Sequence, residues 1–404
     1  MRITSVEPVL LSGPASNDRW ITVAKRLRSV ALVEIHTDSG VVGVGETYAG
    51  YFAPELVAPV VDYVRPILLA ADFATDAIDV GVLTHRMRRC IGYWARVGVG
   101  AAILSAVEAA LWDIAGKAAG VPVYELLGGA QHERLRAYAT GGPSLQPADD
   151  FRRKLDRYVE LGFTALKVAT GYLGVDAPAS PEAAAQVELD KLEMMRAHLG
   201  PDIAVALDGH MGHRSGVDRW DVETATAALE ALAKYDLLFF EEPLAYDDPD
   251  EYAQLRGSTS MPIAGGEQLT SADEFRLWTS RGAFDIAQPD AAWLGLADFV
   301  AVGQQAAAGG AGVASHCWSG GGGVMQNLHA AFATAATVVV EAIPDPGELH
   351  TRLCGDNLVI ENGYVRPPRA PGLGIELTDE TKERFPFVPG LEEFSSVPGK
   401  TLTT

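Results

Sequence analysis

Carboxylate side chains close three short apolar runs in the middle of the chain. Asp208 ends the run VALD, Glu241 follows LLFF, and Glu267 follows PIAGG. If these runs are neighbouring strands, three like charges meet at one edge, where each raises the pKa of the others. A hard divalent cation removes that conflict, and oxygen ligands without cysteine favour Mg²⁺. The alternative is that the three acids are solvated or paired with lysines.

Two adjacent glutamates, Glu241 and Glu242, follow the LLFF run. Successive side chains of a strand point to opposite faces, so only one of the two can share a face with the other ligands. The residue that closes the run is expected to point inward. We therefore predict Glu241 as the metal ligand.

Asp290 and His316 close two later runs, AFDIAQPD and GVASH. A carboxylate that accepts a hydrogen bond from one imidazole nitrogen orients the ring and raises its basicity. The second nitrogen is then available as a general base. An isolated histidine is more often satisfied by a backbone carbonyl, but the pairing favours the catalytic interpretation.

Three further ionisable residues lie at the ends of apolar runs: Lys167, His210 and Glu341. Lys167, in TALKVAT, is compatible with either a salt bridge at the rim or a substrate contact. His210 follows Asp208 by two residues and is predicted to be an acid. His213 is expected to belong to an ordinary loop.

The runs that carry these residues alternate with helical stretches. Eight runs follow residue 134: RLRAYATGG, TALKVAT, IAVALDGH, LLFFEEP, PIAGGEQ, AFDIAQPD, GVASHCW and TVVVEAI. Strands that alternate with helices imply right-handed crossovers and a parallel sheet, and eight units predict a (β/α)₈ barrel with its chemistry at the carboxyl ends of the strands. A doubly wound open sheet is the alternative, but the glycine-rich fingerprint expected after its first strand is absent.

The segments that flank the barrel have other patterns. We predict an α+β capping domain over residues 1–130, the barrel over 131–345, and a tail over 346–404 that packs on the capping domain. A strand near 3–11 and a hairpin around Asp38-Ser39-Gly40 begin the capping domain. Residues 13–28 look like a long loop.

Composition excludes several classes of protein. The net charge of −21 without a basic stripe argues against nucleic acid or an anionic membrane as a partner. No window approaches the eighteen or more uncharged apolar residues that a membrane span requires. Three widely spaced cysteines, Cys90, Cys317 and Cys354, indicate a reducing compartment rather than a disulfide framework or zinc site. Because the N-terminus lacks a secretory pattern, a cytoplasmic location is expected.

Several motifs resemble one known family. The order of these residues along the strands, together with GETYAG, AAILSAVEAALWDIAGKAAGVPVYELLGG, FFEEPL, GGEQLT and PGLGIEL, resembles the mandelate racemase branch of the enolase superfamily. The resemblance implies that Mg²⁺ on the three carboxylates grips a substrate carboxylate. It also implies that His316, oriented by Asp290, removes the α proton while Glu341 hydrogen-bonds the other carboxylate oxygen. A homo-oligomer is implied as well.

One departure from the family narrows the reaction. Many relatives carry a Lys-x-Lys pair on the second barrel strand, where this chain has Lys167 and Ala169. Without a second base, racemisation or epimerisation is not expected. His210 is similar to the histidine that helps a β-hydroxyl leave in galactonate dehydratases. One base and one acid suit β-elimination, which would convert an aldonate or aldarate to a 2-keto-3-deoxy acid.

Substrate identity and three alternatives remain open. The resemblance places specificity in residues 13–28 and around Tyr48, Tyr51 and Phe52. Candidates to cover the sugar are Asn17, Trp20 and Tyr51, and candidates to bind a distal carboxylate are Arg19, Lys25 and Arg26. A cycloisomerase would use the same base with a ring oxygen as leaving group. A non-catalytic barrel and a flavin- or phosphate-binding barrel, suggested by Gly320 to Gly323, are less compatible with the acidic rim.

Overall fold

The N-terminal part of the chain is a three-stranded antiparallel sheet covered by helices. The computed structural model describes residues 1–14, 16–17, 27–71, 78–141, 147–171, 180–213 and 219–389. The strands are β1 (Ile3–Pro14), β2 (Leu27–Thr37) and β3 (Val42–Thr47), paired in that order. The helices are α1 (Ala49–Phe52), α2 (Val57–Leu69), α3 (Val80–Ile91), α4 (Val99–Ala119) and α5 (Val123–Leu126).

Helix α4 is the centre of this capping unit. Its backbone lies directly on β3, where a Cβ at Gly43 or Gly45 would come within 2.1–2.2 Å of helix carbonyl oxygens. The helix ends at Gly120, whose φ of 70° is the left-handed conformation that glycine adopts readily. By length and apolar composition α4 could cross a membrane, but 78% of its most apolar window is buried within the protein. It is therefore a core helix of the fold.

Eight parallel strands form the closed barrel predicted from the sequence. They are β4 (Leu135–Thr140), β5 (Ala165–Ala169), β6 (Ala204–Asp208), β7 (Phe240–Glu241), β8 (Ile263–Gly265), β9 (Ile286–Ala287), β10 (Gly312–Ser315) and β11 (Thr337–Ala342). Each strand pairs with the next, and β11 pairs with β4 to close the barrel. The alternative of an open doubly wound sheet is thereby excluded.

Helices connect the barrel strands and cover them from outside. They are α6 (Ala148–Glu160), α7 (Pro181–Leu199), α8 (Val222–Leu232), α9 (Pro249–Ser258), α10 (Ala272–Thr279), α11 (Ala291–Leu294), α12 (Leu296–Ala308) and α13 (Gly321–Phe332). Side chains cap many of their N-termini; Ser180, Asp221 and Ser271, for example, each accept from a backbone N–H of the first turn. These caps satisfy N–H groups that have no partner inside the helix.

Two features of the flanking segments differ from expectation. Gly13 and Pro14 belong to β1 and pair with Arg28 and Leu27 of β2, so the two ends of the expected long loop are strand. The tail forms α14 (Glu348–Cys354), β12 (Ile360–Glu361), β13 (Tyr364–Val365) and α15 (Asp379–Arg384). Helix α15 contacts the capping sheet, because Lys382 Nζ lies 2.7 Å from Glu34 Oε2 of β2. Strand β13, in contrast, pairs with β4 of the barrel. The tail therefore packs on both units rather than on the cap alone.

His329 of α13 ties the barrel to the cap and the tail. Its Nδ1 lies 3.2 Å from the backbone nitrogen of Tyr124, and its Nε2 lies 3.2 Å from the carbonyl oxygen of Leu373. Burial lowers the pKa of His329 to about 3, because the charged ring loses its hydration. The neutral ring fits both contacts, since Nδ1 then accepts and Nε2 donates.

We expect this histidine to make the fold acid-sensitive. The unfolded chain binds the His329 proton near pH 6.5 and the folded chain only near pH 3, so stability is complete above pH 6.5 and declines as pH falls through that interval. The loss is about 1.4 kcal/mol per pH unit for this group. Urea unfolding at pH 6.5 and pH 5 should show a smaller difference in His329→Gln than in the wild type. His85→Gln, on the exposed surface of α3, is the control, and equal differences in all three proteins would refute the assignment.

Candidate active site

Alternate residues of the barrel strands form two layers across its interior. One buried cluster holds one residue from each strand: Tyr138, Ala165, Ala206, Phe239, Ala264, Ile286, Ala314 and Val339. Two positions further along each strand lie Thr140, Lys167, Asp208, Glu241, Gly266, Gln288, His316 and Glu341. Because side chains repeat direction every two residues, this second, mostly polar set faces the carboxyl end of the barrel. The candidate site is this polar layer.

On β8 the alternation places a glycine in the layer and an acid beside it. Gly266 has a φ of 118°, and a Cβ there would lie 2.4 Å from the Phe275 ring. Glycine adopts this conformation readily, and the chain turns here so that the next residue, Glu267, reaches the mouth of the barrel, which is the opening at the carboxyl ends of its strands. Glu267 Oε2 lies 3.6 Å from His316 Nε2.

The pairing of His316 with Asp290 is present. His316 Nδ1 lies 2.9 Å from Asp290 Oδ2, and both side chains are buried. Asp290 Oδ1 accepts from the backbone of Ala292 at 2.8 Å and from Asn327 Nδ2 at 2.7 Å. Asn327 also accepts from the backbone of Ala291 at 2.8 Å, so α13 holds the aspartate in place. This arrangement leaves Nε2 of His316 directed away from its orienting acid.

Of the two roles considered for Lys167, a salt bridge and a substrate contact, the structure shows the salt bridge. Its Nζ lies 3.0 Å from Asp208 Oδ2, 2.8 Å from Glu241 Oε2 and 3.0 Å from Glu341 Oε1. The side chain is 4% exposed. Its ammonium is a cation placed between two of the predicted metal ligands.

The predicted metal ligands supply suitable donors, but their arrangement is not a complete ion site. Among the described residues, no group of three or more His, Cys, Asp or Glu side chains is placed to hold a metal ion. Glu241 Oε1 and Glu242 Oε2 are both buried without a hydrogen-bond partner in the described structure, so only the direction of the two side chains distinguishes them. Glu242 has a φ of 42° and lies 3.3 Å from Gln268 Nε2, away from the Lys167 contact. The donor chemistry thus fits a hard cation, and Glu241 rather than Glu242 is the better placed of the pair.

His210 lies beside Asp208 at the open edge of the mouth. Its φ of 48° is uncommon for a residue other than glycine. Its backbone N–H donates to Asp208 Oδ1 at 3.2 Å, and its ring Nδ1 lies 3.4 Å from the same oxygen. The side chain is 39% exposed, so a ligand in the mouth can reach it. His213 ends a short 3₁₀ turn, Met211–His213.

Negative charge dominates the electrostatics of the mouth. Burial opposes protonation of His316, but Glu267, the hydrogen bond to Asp290 and the charge of Glu341 together raise its pKa to about 10. Burial and the neighbouring Asp208 raise the pKa of Glu241 well above its usual range. Burial also acts to raise the pKa of Glu341, but Lys167 and His316 outweigh it and lower that pKa. Additional positive charge would therefore stabilise the ionised carboxylates.

Aromatic side chains from the cap and the barrel loops form a wall beside His316. The Tyr48 ring lies 5.4 Å from the His316 ring and 5.4 Å from the Tyr51 ring. Phe52 and Trp293 pack against Tyr48, at 5.1 and 5.6 Å. The positions around Tyr48, Tyr51 and Phe52 that were predicted to influence specificity thus lie next to the candidate base.

Of the other predicted substrate contacts, the structure describes Asn17. Asn17 donates through Nδ2 to the carbonyl of Pro346 at 2.9 Å, which places it on the loop after β11. The remaining candidates are outside the described residues: Arg19, Trp20, Lys25 and Arg26. The glycine run from Gly320 to Gly323 does not present an open phosphate site. Glu46 of the cap accepts from the backbone of Gly320 and Gly323 and fills that position with a carboxylate of the chain itself.

Sequence reasoning missed Asn327 and Glu46. Asn327 lies on α13, a helix that is buried throughout and also carries Gln326 and His329, so nothing in the local sequence singles out Asn327. Glu46 ends the alternating run VGVGE and is buried in β3, but the run itself does not indicate that its side chain faces the barrel. Both act on residues far away in the chain, so local patterns do not identify their partners.

Comparisons with known proteins match almost the whole chain. The profile of the mandelate racemase/muconate lactonizing enzyme N-terminal domain matches residues 18–128, and that of the enolase C-terminal domain-like family matches residues 150–381. An arabinonate dehydratase from Saccharolobus solfataricus is 30% identical over 369 residues, which cover 90% of this chain and 92% of that protein. Other relatives are named D-galactonate, L-rhamnonate and D-gluconate dehydratases.

Two further proteins widen the comparison. A D-galactarolactone cycloisomerase from Agrobacterium fabrum is 30% identical over 373 residues, or 89% of this chain and 91% of that protein. The crystal structure of a racemase from Streptomyces coelicolor with bound magnesium has a TM-score of 0.81 and 28% identity, covering 95% of this chain and 99% of that chain. The barrel and cap are therefore shared by proteins named for several different reactions.

Asn327 should matter for turnover through Asp290. Asn327→Leu keeps the volume of the side chain but removes the donor to Asp290 and the acceptor for Ala291. Loss of such an outer partner typically costs about 10–100-fold in activity. Steady-state turnover should fall by that factor at a temperature where both proteins are folded. The thermal unfolding midpoint should also fall, because the buried N–H of Ala291 loses its acceptor. Asn357→Leu, in the tail, is the control, and unchanged turnover in Asn327→Leu would disprove the orienting role.

Proposed function

The chain belongs to the mandelate racemase/muconate lactonizing enzyme family of the enolase superfamily and is a lyase, and on this premise we propose that it dehydrates a sugar acid to a 2-keto-3-deoxy acid. The substrate class is an aldonate or aldarate. The proposal is supported by relatives named as dehydratases over most of the chain.

The observation that carries this proposal is that a candidate base lies on one side of the mouth and none is found at the matching position on β5. His316 is hydrogen-bonded to Asp290 through Nδ1, and its Nε2 faces the mouth, 3.6 Å from Glu267 Oε2. On β5 the position after Lys167 that points the same way is Ala169, which has no ionisable group. Lys167 itself is an ammonium bound by Asp208, Glu241 and Glu341. Burial acts to lower its pKa, but the three carboxylates raise that pKa, so Lys167 holds its proton in this arrangement. A single base favours elimination over a two-base proton transfer.

The proposed cofactor is Mg²⁺, held by Asp208, Glu241 and Glu267. Three carboxylates without cysteine suit a hard cation, and the unpartnered Glu241 Oε1 supports the assignment. When bound, such a cation stabilises the negative charge of an enediolate, as it does in enolase-superfamily sites. Glu267 contributes most to the raised pKa of His316. A positive charge bound to Glu267 would lower that pKa and so favour the neutral imidazole, which is the form that can act as a base.

Lys167 and Glu341 are the residues of the chain that would face the substrate carboxylate. Lys167 donates from Nζ and can share its protons with a substrate oxygen as well as with Glu341 Oε1. Glu341 is ionised in the present arrangement, since Lys167 and His316 lower its pKa against the effect of burial. An anionic carboxylate beside it raises that pKa, so Glu341 gains the proton it needs to donate a hydrogen bond.

His316 would begin the reaction by accepting the α proton at Nε2. The carbon–hydrogen bond breaks, the proton moves to Nε2, and the electron pair passes into the enediolate. Asp290 stabilises the resulting imidazolium through its bond to Nδ1, 2.9 Å away. Asp290 itself stays in place because Ala292 and Asn327 occupy its other oxygen.

His210 would complete the elimination. The enediolate electron pair forms the new carbon–carbon double bond, the β carbon–oxygen bond breaks, and the hydroxide takes a proton from the His210 ring and departs as water. The product is an enol, which tautomerises to the 2-keto-3-deoxy acid. The exposed ring next to Asp208 suits this role, because it faces the mouth and can exchange its proton with solvent.

A cycloisomerase is the second candidate. It is favoured by the relative named D-galactarolactone cycloisomerase, which matches this chain as extensively as the dehydratases do. The same base would act, and a ring oxygen rather than a hydroxide would leave from the β carbon. The two reactions differ in the leaving group, so only substrates distinguish them.

The test is a screen of the purified protein with Mg²⁺ against aldonic and aldaric acids and their lactones. Semicarbazide detects 2-keto-3-deoxy products, and parallel reactions in D₂O are followed by proton NMR. We expect one acid to give a semicarbazide signal that falls at least about 10³-fold in His316→Asn. His198→Asn, on the outer surface of α7, should retain the wild-type rate.

Three outcomes separate the candidates. A dehydration product lost in His316→Asn supports the proposal and names the sugar. A 2-keto-3-deoxy product formed from a lactone by ring opening, without loss of water, favours the cycloisomerase. A hit that persists in His316→Asn, or deuterium exchange at the α carbon with inversion of configuration, contradicts the single-base assignment.

A further inference from the structure

The loop that carries His316 is held by the capping unit. It runs from His316 at the end of β10 to Gly321 at the start of α13. Two buried residues of the capping sheet, Arg28 on β2 and Glu46 on β3, contact it. Neither residue takes part in the reaction proposed above.

Glu46 binds the beginning of α13 with its side chain and its backbone. Its Oε1 accepts from Gly320 N at 2.5 Å and its Oε2 from Gly323 N at 3.0 Å. Its backbone N–H donates to Gln326 Oε1 at 2.6 Å, and its carbonyl accepts from Gln326 Nε2 at 3.1 Å. A carboxylate at a helix N-terminus satisfies N–H groups that lack helical partners. Four hydrogen bonds thus join one residue of the cap to α13.

Arg28 binds the middle of the same loop. Its Nη1 donates to the carbonyl oxygens of Trp318 at 3.2 Å and Ser319 at 3.3 Å. The guanidinium also lies 5.0 Å from the Trp318 ring centre and 4.9 Å from the Tyr51 ring centre. It therefore contacts both the loop after His316 and the aromatic wall beside it.

The glycine run makes this contact possible. A Cβ at Gly320 or Gly322 would lie 2.9 Å from a Glu46 oxygen, and one at Gly321 would lie 2.2 Å from the carbonyl oxygen of His350. Real Cβ atoms do not approach so closely, so glycine permits the approach of the cap. The run thereby has a structural explanation within the chain.

We propose that Arg28 and Glu46 are positioning residues, which hold the His316 loop and α13 so that His316 and Asp290 keep their relative orientation. The loop fixes His316 directly. Helix α13 fixes Asp290 through Asn327, whose Nδ2 lies 2.7 Å from Asp290 Oδ1. Both partners of the dyad thus depend on contacts from the cap. The catalytic meaning rests on the proposed function, but the contacts and the orientation of the ring can be tested without a substrate.

The test compares Glu46→Gln and Arg28→Lys with Glu34→Gln. Glu46→Gln keeps the side-chain size but loses one of the two acceptor oxygens, and Arg28→Lys keeps the charge but loses the guanidinium. Glu34 is a carboxylate of the same sheet that bonds Lys382 of the tail at 2.7 Å instead of the barrel, so its replacement is a matched control.

The first readout is amide hydrogen exchange followed by mass spectrometry. Peptides covering 316–326 should exchange at least about tenfold faster in Glu46→Gln and Arg28→Lys, because the Gly320 and Gly323 amides or their loop lose partners. Exchange elsewhere in the barrel should match the wild type. Unchanged exchange in 316–326, or an increase spread over the whole barrel, would overturn the proposal. Arg28→Lys decides the matter if Glu46→Gln does not fold.

The second readout is the Nδ1 proton of His316 in proton NMR of histidine-labelled protein. A proton shared with a buried carboxylate resonates far downfield, and its absence in His316→Asn assigns it. We expect it to broaden or disappear in Glu46→Gln and Arg28→Lys and to persist in Glu34→Gln. A signal identical to wild type in both variants overturns the positioning role, whatever the substrate screen finds.

A third readout applies once the screen supplies a substrate. A positioning role lowers kcat by about tenfold or more while KM changes less than about threefold, because substrate binding is retained. A rise in KM at constant kcat would place these residues in substrate binding instead and overturn the assignment. Failure of the screen would count against the proposed function but would leave the exchange and NMR results intact.

Discussion

The excess of buried negative charge is the constraint on which the mouth of the barrel depends. Five carboxylates converge there, Asp208, Glu241, Glu267, Asp290 and Glu341, and the described cations among them are Lys167 and His316. Burying ionised groups without full compensation is costly, and burial raises the pKa of Glu241 for this reason. At His316 burial acts to lower the pKa, but Glu267 and Asp290 stabilise the imidazolium and raise it. A divalent cation bound to these carboxylates would lower the pKa of both Glu241 and His316. This imbalance of charge is consistent with the proposed binding of a metal ion.

The cap contributes to this mouth by a different kind of contact. The barrel supplies charged groups from its strand ends, whereas the cap supplies aromatic surface, through Tyr48 and Tyr51, and the hydrogen bonds of Arg28 and Glu46. Those hydrogen bonds go to backbone groups of the loop after β10 rather than to the reacting side chains. The reacting groups can thus stay on rigid strands while the surface beside them differs between family members. This division agrees with one fold serving dehydratases, cycloisomerases and a racemase.

The fold and most of the candidate site could be predicted because both follow from local periodicity. A strand repeats side-chain direction every two residues, so Lys167, Asp208 and Glu241 each stand two positions beyond a buried interior residue. What could not be predicted depends on contacts between distant parts of the chain. Arg28 and Trp318 are 290 residues apart, and Arg28 was placed at the end of an expected loop because nothing local marks it as buried. The Gly320–Gly323 run was similarly ambiguous, since glycines permit the approach of either a phosphate or a carboxylate of the chain.

In the proposed reaction the only base is His316, on one side of the substrate, and this limits what the enediolate can do. An enediolate formed by His316 can regain its proton from the face where His316 lies, or it can expel a group from the β carbon. On the opposite side of the mouth, the side chain of Ala169 carries no ionisable group. The carbonyl oxygen of Ala169 accepts a hydrogen bond from Lys191 Nζ at 2.6 Å, which holds this strand end in place. Return of the proton by His316 restores the substrate and yields no net reaction. Under the proposed function, net turnover therefore requires a leaving group on the β carbon and an acid near it. His210, exposed at the mouth next to Asp208, is the residue proposed for that role.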